Sequence, residues 1–123
     1  MIALLAAAEI VLAFDGLKDR GQVMVALYAS EASYRRRNRP LKEATVPVRA
    51  GRAEAAFAGL PPGTYAAMVF HDVNGDGKMN FRLGLPTEPY AVSNNAKGLP
   101  IARWEAAKFT AGEGETRHAI RLK

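Results

Sequence analysis

Apolar residues recur at every second position in several short stretches of this chain, and Gly, Pro or Asx residues close each stretch, as expected of β-strands joined by turns. Residues 10–14 set Ile10, Leu12 and Phe14 against Val11 and Ala13 and stop at Asp15-Gly16. Residues 21–29 repeat the design, with Val23, Val25 and Leu27 on one side and Met24, Ala26 and Tyr28 on the other. The short link through Lys18-Asp19-Arg20-Gly21 predicts that these two strands form an antiparallel hairpin. Over residues 64–71 both faces are apolar, Tyr65, Ala67, Val69 and His71 against Ala66, Met68 and Phe70, which places this strand centrally. Leu60-Pro61-Pro62-Gly63 turns the chain just before it, because Pro fixes φ and Gly admits positive φ.

Further strands are predicted at 44–48, at an edge because Pro47 cannot donate to a ladder, at 53–57, and at 116–122, where His118, Ile120 and Leu122 share a face. Residues 104–109 predict a helix of little more than one turn, and 30–42, with Arg35-Arg36-Arg37 and Arg39, an exposed loop. Six or seven strands with closely spaced turns describe an all-β chain, an antiparallel immunoglobulin-like or prealbumin-like β-sandwich forming one domain over residues 9–123.

The length, 123 residues, suits one core. With no cysteine there is no disulfide, thiol nucleophile or cysteine zinc site. The net charge of +5 favours acidic contacts, yet no nucleic-acid module surrounds the arginine run beside Tyr34, so no nucleic-acid partner is expected. Residues 1–8 are apolar and end in Ala6-Ala7-Ala8 before Glu9. They fall short of the roughly 20 residues of a membrane span and read as the remnant of a signal peptide, which predicts a periplasmic or secreted protein with no transmembrane segment.

The chemistry gathers after the central strand. Asp72, Asn74, Asp76 and Asn80 occupy the first, third, fifth and ninth positions of a calcium-loop pattern, Gly77 stands where the sharp turn is needed, and Lys78 offers its backbone carbonyl. Ca2+ is therefore the candidate cofactor, with these five residues as its ligands. The twelfth position is Leu83 rather than Glu and no helices flank the loop, so it is not an EF-hand; Glu88 is the nearest substitute acid. The same residues also make ordinary Asx turns, and both readings stand at this level.

Beyond the loop, Phe81, Glu88, Tyr90, Asn94 and Asn95 form a long aromatic and polar segment suited to a ligand. The expected function is a non-catalytic binding or accessory module that meets an extracytoplasmic glycan, peptide or protein. A purely structural or adhesive domain is the alternative. A hydrolase would need Asp72 and Glu88 as a carboxyl pair roughly 5–10 Å apart. His71 and His118 lack metal-ligand spacing, and a strand-end His71 bonded to loop carbonyls is the expectation.

Several motifs in one order resemble a known bacterial family. They are Leu60-Pro61-Pro62-Gly63-Thr64-Tyr65, Val69-Phe70-His71-Asp72 with Asn74-Gly75-Asp76-Gly77-Lys78, Leu83-Gly84-Leu85-Pro86 with Glu88-Pro89-Tyr90, Ser93-Asn94-Asn95-Ala96 and Ala106-Ala107-Lys108-Phe109. Together they resemble domain of unknown function 2141, departing from its pattern at Asn80, where Asp is common. The resemblance implies a β-sandwich and export behind a signal peptide, and it implies no activity.

Overall fold

The computed structural model describes residues 7–73, 75, 81–82, 85–86, 89–98 and 101–122, with backbone only at 81–82 and 85–86. In chain order the elements are β1 (Ala8–Asp15), β2 (Gln22–Tyr28), α1 (Glu31–Arg36), β3 (Lys42–Pro47), β4 (Ala53–Leu60), β5 (Gly63–Asp72), β6 (Phe81–Arg82), β7 (Leu85–Pro86), β8 (Tyr90–Val92), a 3₁₀ turn (Ser93–Asn95), α2 (Trp104–Ala107), β9 (Phe109–Ala111) and β10 (Gly114–Arg121). The chain is mostly strand. One sheet runs β10-β1-β4 and the other β3-β2-β5-β8, with β9 also paired to β5; β6 and β7 pair with each other. Among the described residues, no helix is long and apolar enough to cross a membrane.

The alternation seen in the sequence is the alternation of the core. Ile10, Leu12 and Phe14 of β1, Val23, Val25 and Leu27 of β2, and Tyr65, Ala67 and Val69 of β5 bury into one cluster between the two sheets. Each fully buried Val, Leu, Ile or Phe contributes about 1.5–3 kcal/mol, so this shared face holds the layers together. His118 and Ile120 share a face of β10, with Leu122 buried just beyond it, and β3 lies at an edge with Pro47 as its last residue.

Strand pairing departs from expectation in two places. β1 and β2 are not a hairpin: β1 pairs with β10 and β4, whereas β2 pairs with β3 and β5. Both strands turn an apolar face toward the same interior, so they oppose one another across the layers, and residues 16–21 carry the chain between sheets. Nor are all pairs antiparallel. β1 runs parallel to β10, from Ala8 beside Gly114 to Asp15 beside Arg121. Almost the whole chain lies between these two strands, and a connection of that length permits either direction.

Residues 30–42 are not simply an exposed loop. Ser30 caps α1, its Oγ accepting from the Ser33 N–H at 3.3 Å, and Arg37 closes the helix in the left-handed region at φ 51°. The signal is a short one, a Ser N-cap followed by Glu in the first turn. The helix brings Tyr34 inward until it is fully buried. Its ring meets Tyr28 edge-on at 5.8 Å and Trp104 at 5.7 Å, and its hydroxyl donates to the Ala102 carbonyl at 2.6 Å. Burial pushes the phenol up to about 12. Ala66, Met68, Val92 and Ala107 join this second cluster, which covers the other face of β5. The central strand is thereby apolar on both sides because both sides are covered.

Candidate functional site

Three consecutive residues clasp the end of β5. The Arg20 carbonyl accepts from His71 Nε2 at 2.7 Å, which fixes the tautomer with its proton on that nitrogen. Gln22 Nε2 donates to Asp72 Oδ2 at 2.8 Å. Between them Gly21 sits at φ 76°, where a Cβ would stand 2.3 Å from the Asp72 carbonyl oxygen, so only glycine permits the approach. His71 and Asp72 are both buried, at 1% and 0% exposure. The expectation for His71 is met, since it bonds a carbonyl of the β1–β2 connection.

Asp72 thus enters the proposed cation loop already holding a partner. The other predicted ligands, Asn74, Asp76, Lys78 and Asn80, lie outside the described residues, as do Glu88 and the side chain of Phe81. Among the described residues no cluster of three metal-ligating acids or imidazoles forms. The Asp72 to Glu88 separation that a carboxyl pair requires falls outside the description as well.

The structure brings Tyr90, Asn94 and Asn95 to one corner, and it engages the two amides. Ser93 begins the 3₁₀ turn, and both asparagines after it have positive φ, 63° and 50°, which Asn tolerates better than most residues. Asn94 Nδ2 donates to the carbonyls of Ala106 at 3.2 Å and Lys108 at 2.8 Å. Ser93 Oγ donates to Ala107 at 2.5 Å, so three successive carbonyls at the end of α2 have partners that the helix itself does not supply. Asn95 turns the other way. Its Oδ1 accepts from the Arg121 N–H at 2.9 Å and its Nδ2 donates to the Ala119 carbonyl at 3.3 Å. A neighbouring parallel strand would place the N–H and C=O of one residue in those positions, so the side-chain amide caps the outer edge of β10.

Around this corner lies a half-open groove of about 610 Å³ between β8 and β10. Tyr90, Asn95, Lys97 and Arg121 line it, with Val92 and Ala102 among the apolar lining residues. Its volume is that of a small-molecule site. Gly98 also lines it: a Cβ there would fall 2.8 Å from Ala102 Cα, so its bare backbone lets residues 98 and 102 approach. Tyr90 and Asn95 were legible in the sequence as binding candidates. Lys97 and Arg121 were not, because nothing in their local patterns signals that they share a groove.

Compared with known protein families, residues 14–119 match the model for uncharacterized proteins conserved in bacteria, domain of unknown function 2141. The chain belongs to that family. No curated protein and no solved structure matches it. In this member of domain of unknown function 2141, the motifs that carried the resemblance touch one another. Ser93 and Asn94 bond the Ala106-Ala107-Lys108 run. The Tyr65 hydroxyl donates to the Pro61 carbonyl, stapling the Leu60 to Tyr65 corner where the chain leaves one sheet for the other. Burial raises the Tyr65 phenol above its ordinary value. Much of the motif set therefore has a structural task, and the groove is what those tasks leave open.

Proposed function

We propose that this chain is an exported, non-catalytic binding module whose working face is the groove between β8 and β10, with a glycan as its ligand. The observation that carries the reading is the groove itself: about 610 Å³, walled by Tyr90, Asn95, Lys97 and Arg121. An aromatic ring beside polar groups over small apolar side chains suits the mixed faces of a sugar. The two-sheet body, with a Tyr-stapled corner joining the sheets, supports the finer immunoglobulin-like or prealbumin-like reading of the fold. Export, behind a leader ending at Ala6-Ala7-Ala8, belongs to the same proposal. β1 already begins at Ala8, which is buried and opposite Gly114, so cutting before Glu9 removes the first residue of that strand.

A saccharide array probed with the folded chain tests the binding reading. Retention of at least one saccharide is expected, weakened about tenfold in Tyr90→Ala, in line with the roughly 0.5–1.5 kcal/mol an aromatic contact adds beyond its buried area. Silence across the array removes the reading and leaves the structural or adhesive one.

Ca2+ is a second proposal, carried by Asp72, a fully buried carboxylate at the first position of the loop pattern. In that reading the ion stiffens the loop after β5. The expected result is a melting temperature raised by millimolar Ca2+, lowered again by a chelator, and unresponsive in Asp72→Asn. Equal melting with Ca2+ and with chelator removes the ion from the account.

A further inference from the structure

Two cations reach the groove from separate elements, Arg121 from the last residue of β10 and Lys97 from the segment after the 3₁₀ turn. Two other cations of the described residues are held by carboxylates, Lys108 at 2.7 Å from Glu105 and Arg117 at 3.1 Å from Glu54, while most of the rest stand singly in solvent; what sets Lys97 and Arg121 apart is that they line one concave surface. Among the described residues neither Lys97 nor Arg121 has such a partner, and no Asp or Glu lines the groove. A concave surface lined by one sign of charge focuses its field on whatever enters. Arg121 is also well placed to serve. Asn95 fixes its backbone N–H, so the guanidinium projects from an anchored point.

The same Asn95 bonds bear on what kind of molecule can bind. An extended peptide that joins a sheet needs free N–H and C=O groups on the edge strand. At Ala119 and Arg121 the Asn95 amide already occupies that edge. Recognition here falls to side chains, and those lining the groove include the two cations Lys97 and Arg121.

We infer that the groove takes an acidic saccharide, with Arg121 and Lys97 gripping its carboxylate; this rests on the groove being the working face proposed above. Arg suits a carboxylate because its planar fork donates two parallel hydrogen bonds, and Lys adds a point charge. Tyr90, which lines the same groove, offers an aromatic wall beside the two cations.

Amide chemical-shift titrations of the labelled chain at low ionic strength provide the test. The probes are a trisaccharide of galacturonate, neutral maltotriose, and triglutamate. The expected result is that trigalacturonate shifts the amides of residues 90–98 and 121, and that Arg121→Gln and Lys97→Gln each weaken it about tenfold or more, the size expected for a charged hydrogen bond. Added salt weakens binding as well. Arg35→Gln, an exposed change on α1 outside the groove, leaves affinity unaltered. Both groove side chains are exposed, so the variants keep the parent melting temperature. Maltotriose bound as tightly, with both variants indifferent, overturns the acidic ligand and leaves the groove a saccharide site. Triglutamate bound as tightly as trigalacturonate overturns the saccharide, because charge alone then suffices. If no probe moves the groove amides, the inference and the working-face reading fall together.

Discussion

Tyr34→Ala is expected to be among the most destabilising single changes in the molecule, lowering the unfolding free energy by about 3–5 kcal/mol, as for other large aromatic truncations in a core. Tyr34 is wholly buried, packs edge-on against Tyr28 and Trp104, and ties α1 to the Ala102 carbonyl through its hydroxyl. Removing the ring opens a cavity and leaves that carbonyl without its donor. For a domain whose total stability is about 5–15 kcal/mol, a loss of this size brings some of the population to the edge of unfolding. Urea denaturation measures it directly, and a loss below about 1 kcal/mol contradicts the burial. Tyr34→Phe separates the two contributions, keeping the ring and costing about 1–2 kcal/mol for the hydrogen bond.

The same pair reports on pH. Below about pH 10 the phenol is protonated whether the chain is folded or not, and its contribution to stability is complete. Above pH 10 the unfolded chain releases the proton while the folded chain holds it up to about 12, so stability falls as pH rises through that window. Tyr28 and Tyr65 shift in the same direction, chiefly through burial, so Tyr34→Phe makes the alkaline loss shallower without removing it. An unchanged slope between pH 10 and 12 contradicts the assignment to Tyr34.

How far these features could be read from the sequence depended on whether the information was local. The faces of β1, β2, β5 and β10 were legible because a period of two shows itself within five residues, and burial then follows it. Partners were not, because a strand that buries one face carries the same pattern whether its neighbour lies beside it or across the core. That is why β1 and β2 resembled a hairpin while lying in opposite sheets. α1 was hidden for a different reason: in six residues with three charged ones, only Tyr34 turns inward, too little for a helical period to emerge. At the candidate site, Asn94 and Asn95 drew attention as polar groups in an irregular segment, and the structure gives their amides backbone partners near α2 and β10. Lys97 and Arg121 line one groove where Asn95 ties the 3₁₀ turn to β10, and no local pattern encodes that tie.

Ser93→Ala tests how much of the fold that turn holds. β8 pairs with residues 68–70 of β5 and β9 with residues 63–65, and at Ala67 the backbone N–H finds the Ser93 hydroxyl at 3.0 Å. The same hydroxyl donates onward to the Ala107 carbonyl at 2.5 Å, so one oxygen joins the central strand to the end of α2. Ser93, Ala67 and Ala107 are each fully buried, and water cannot take over either bond when the oxygen is removed. A buried donor or acceptor left alone costs about 1–3 kcal/mol, so the expected loss is about 2–4 kcal/mol, large for the deletion of one atom. Hydrogen exchange locates it: the Ala67 amide should lose protection faster than the fall in global stability accounts for. Asn94→Ala, whose bonds to Ala106 and Lys108 are exposed, should cost about 1 kcal/mol or less because solvent replaces them. If Ser93→Ala proves as mild as Asn94→Ala, the hydroxyl does not bridge β5 and α2, and the corner that presents Lys97 and Arg121 is held in some other way.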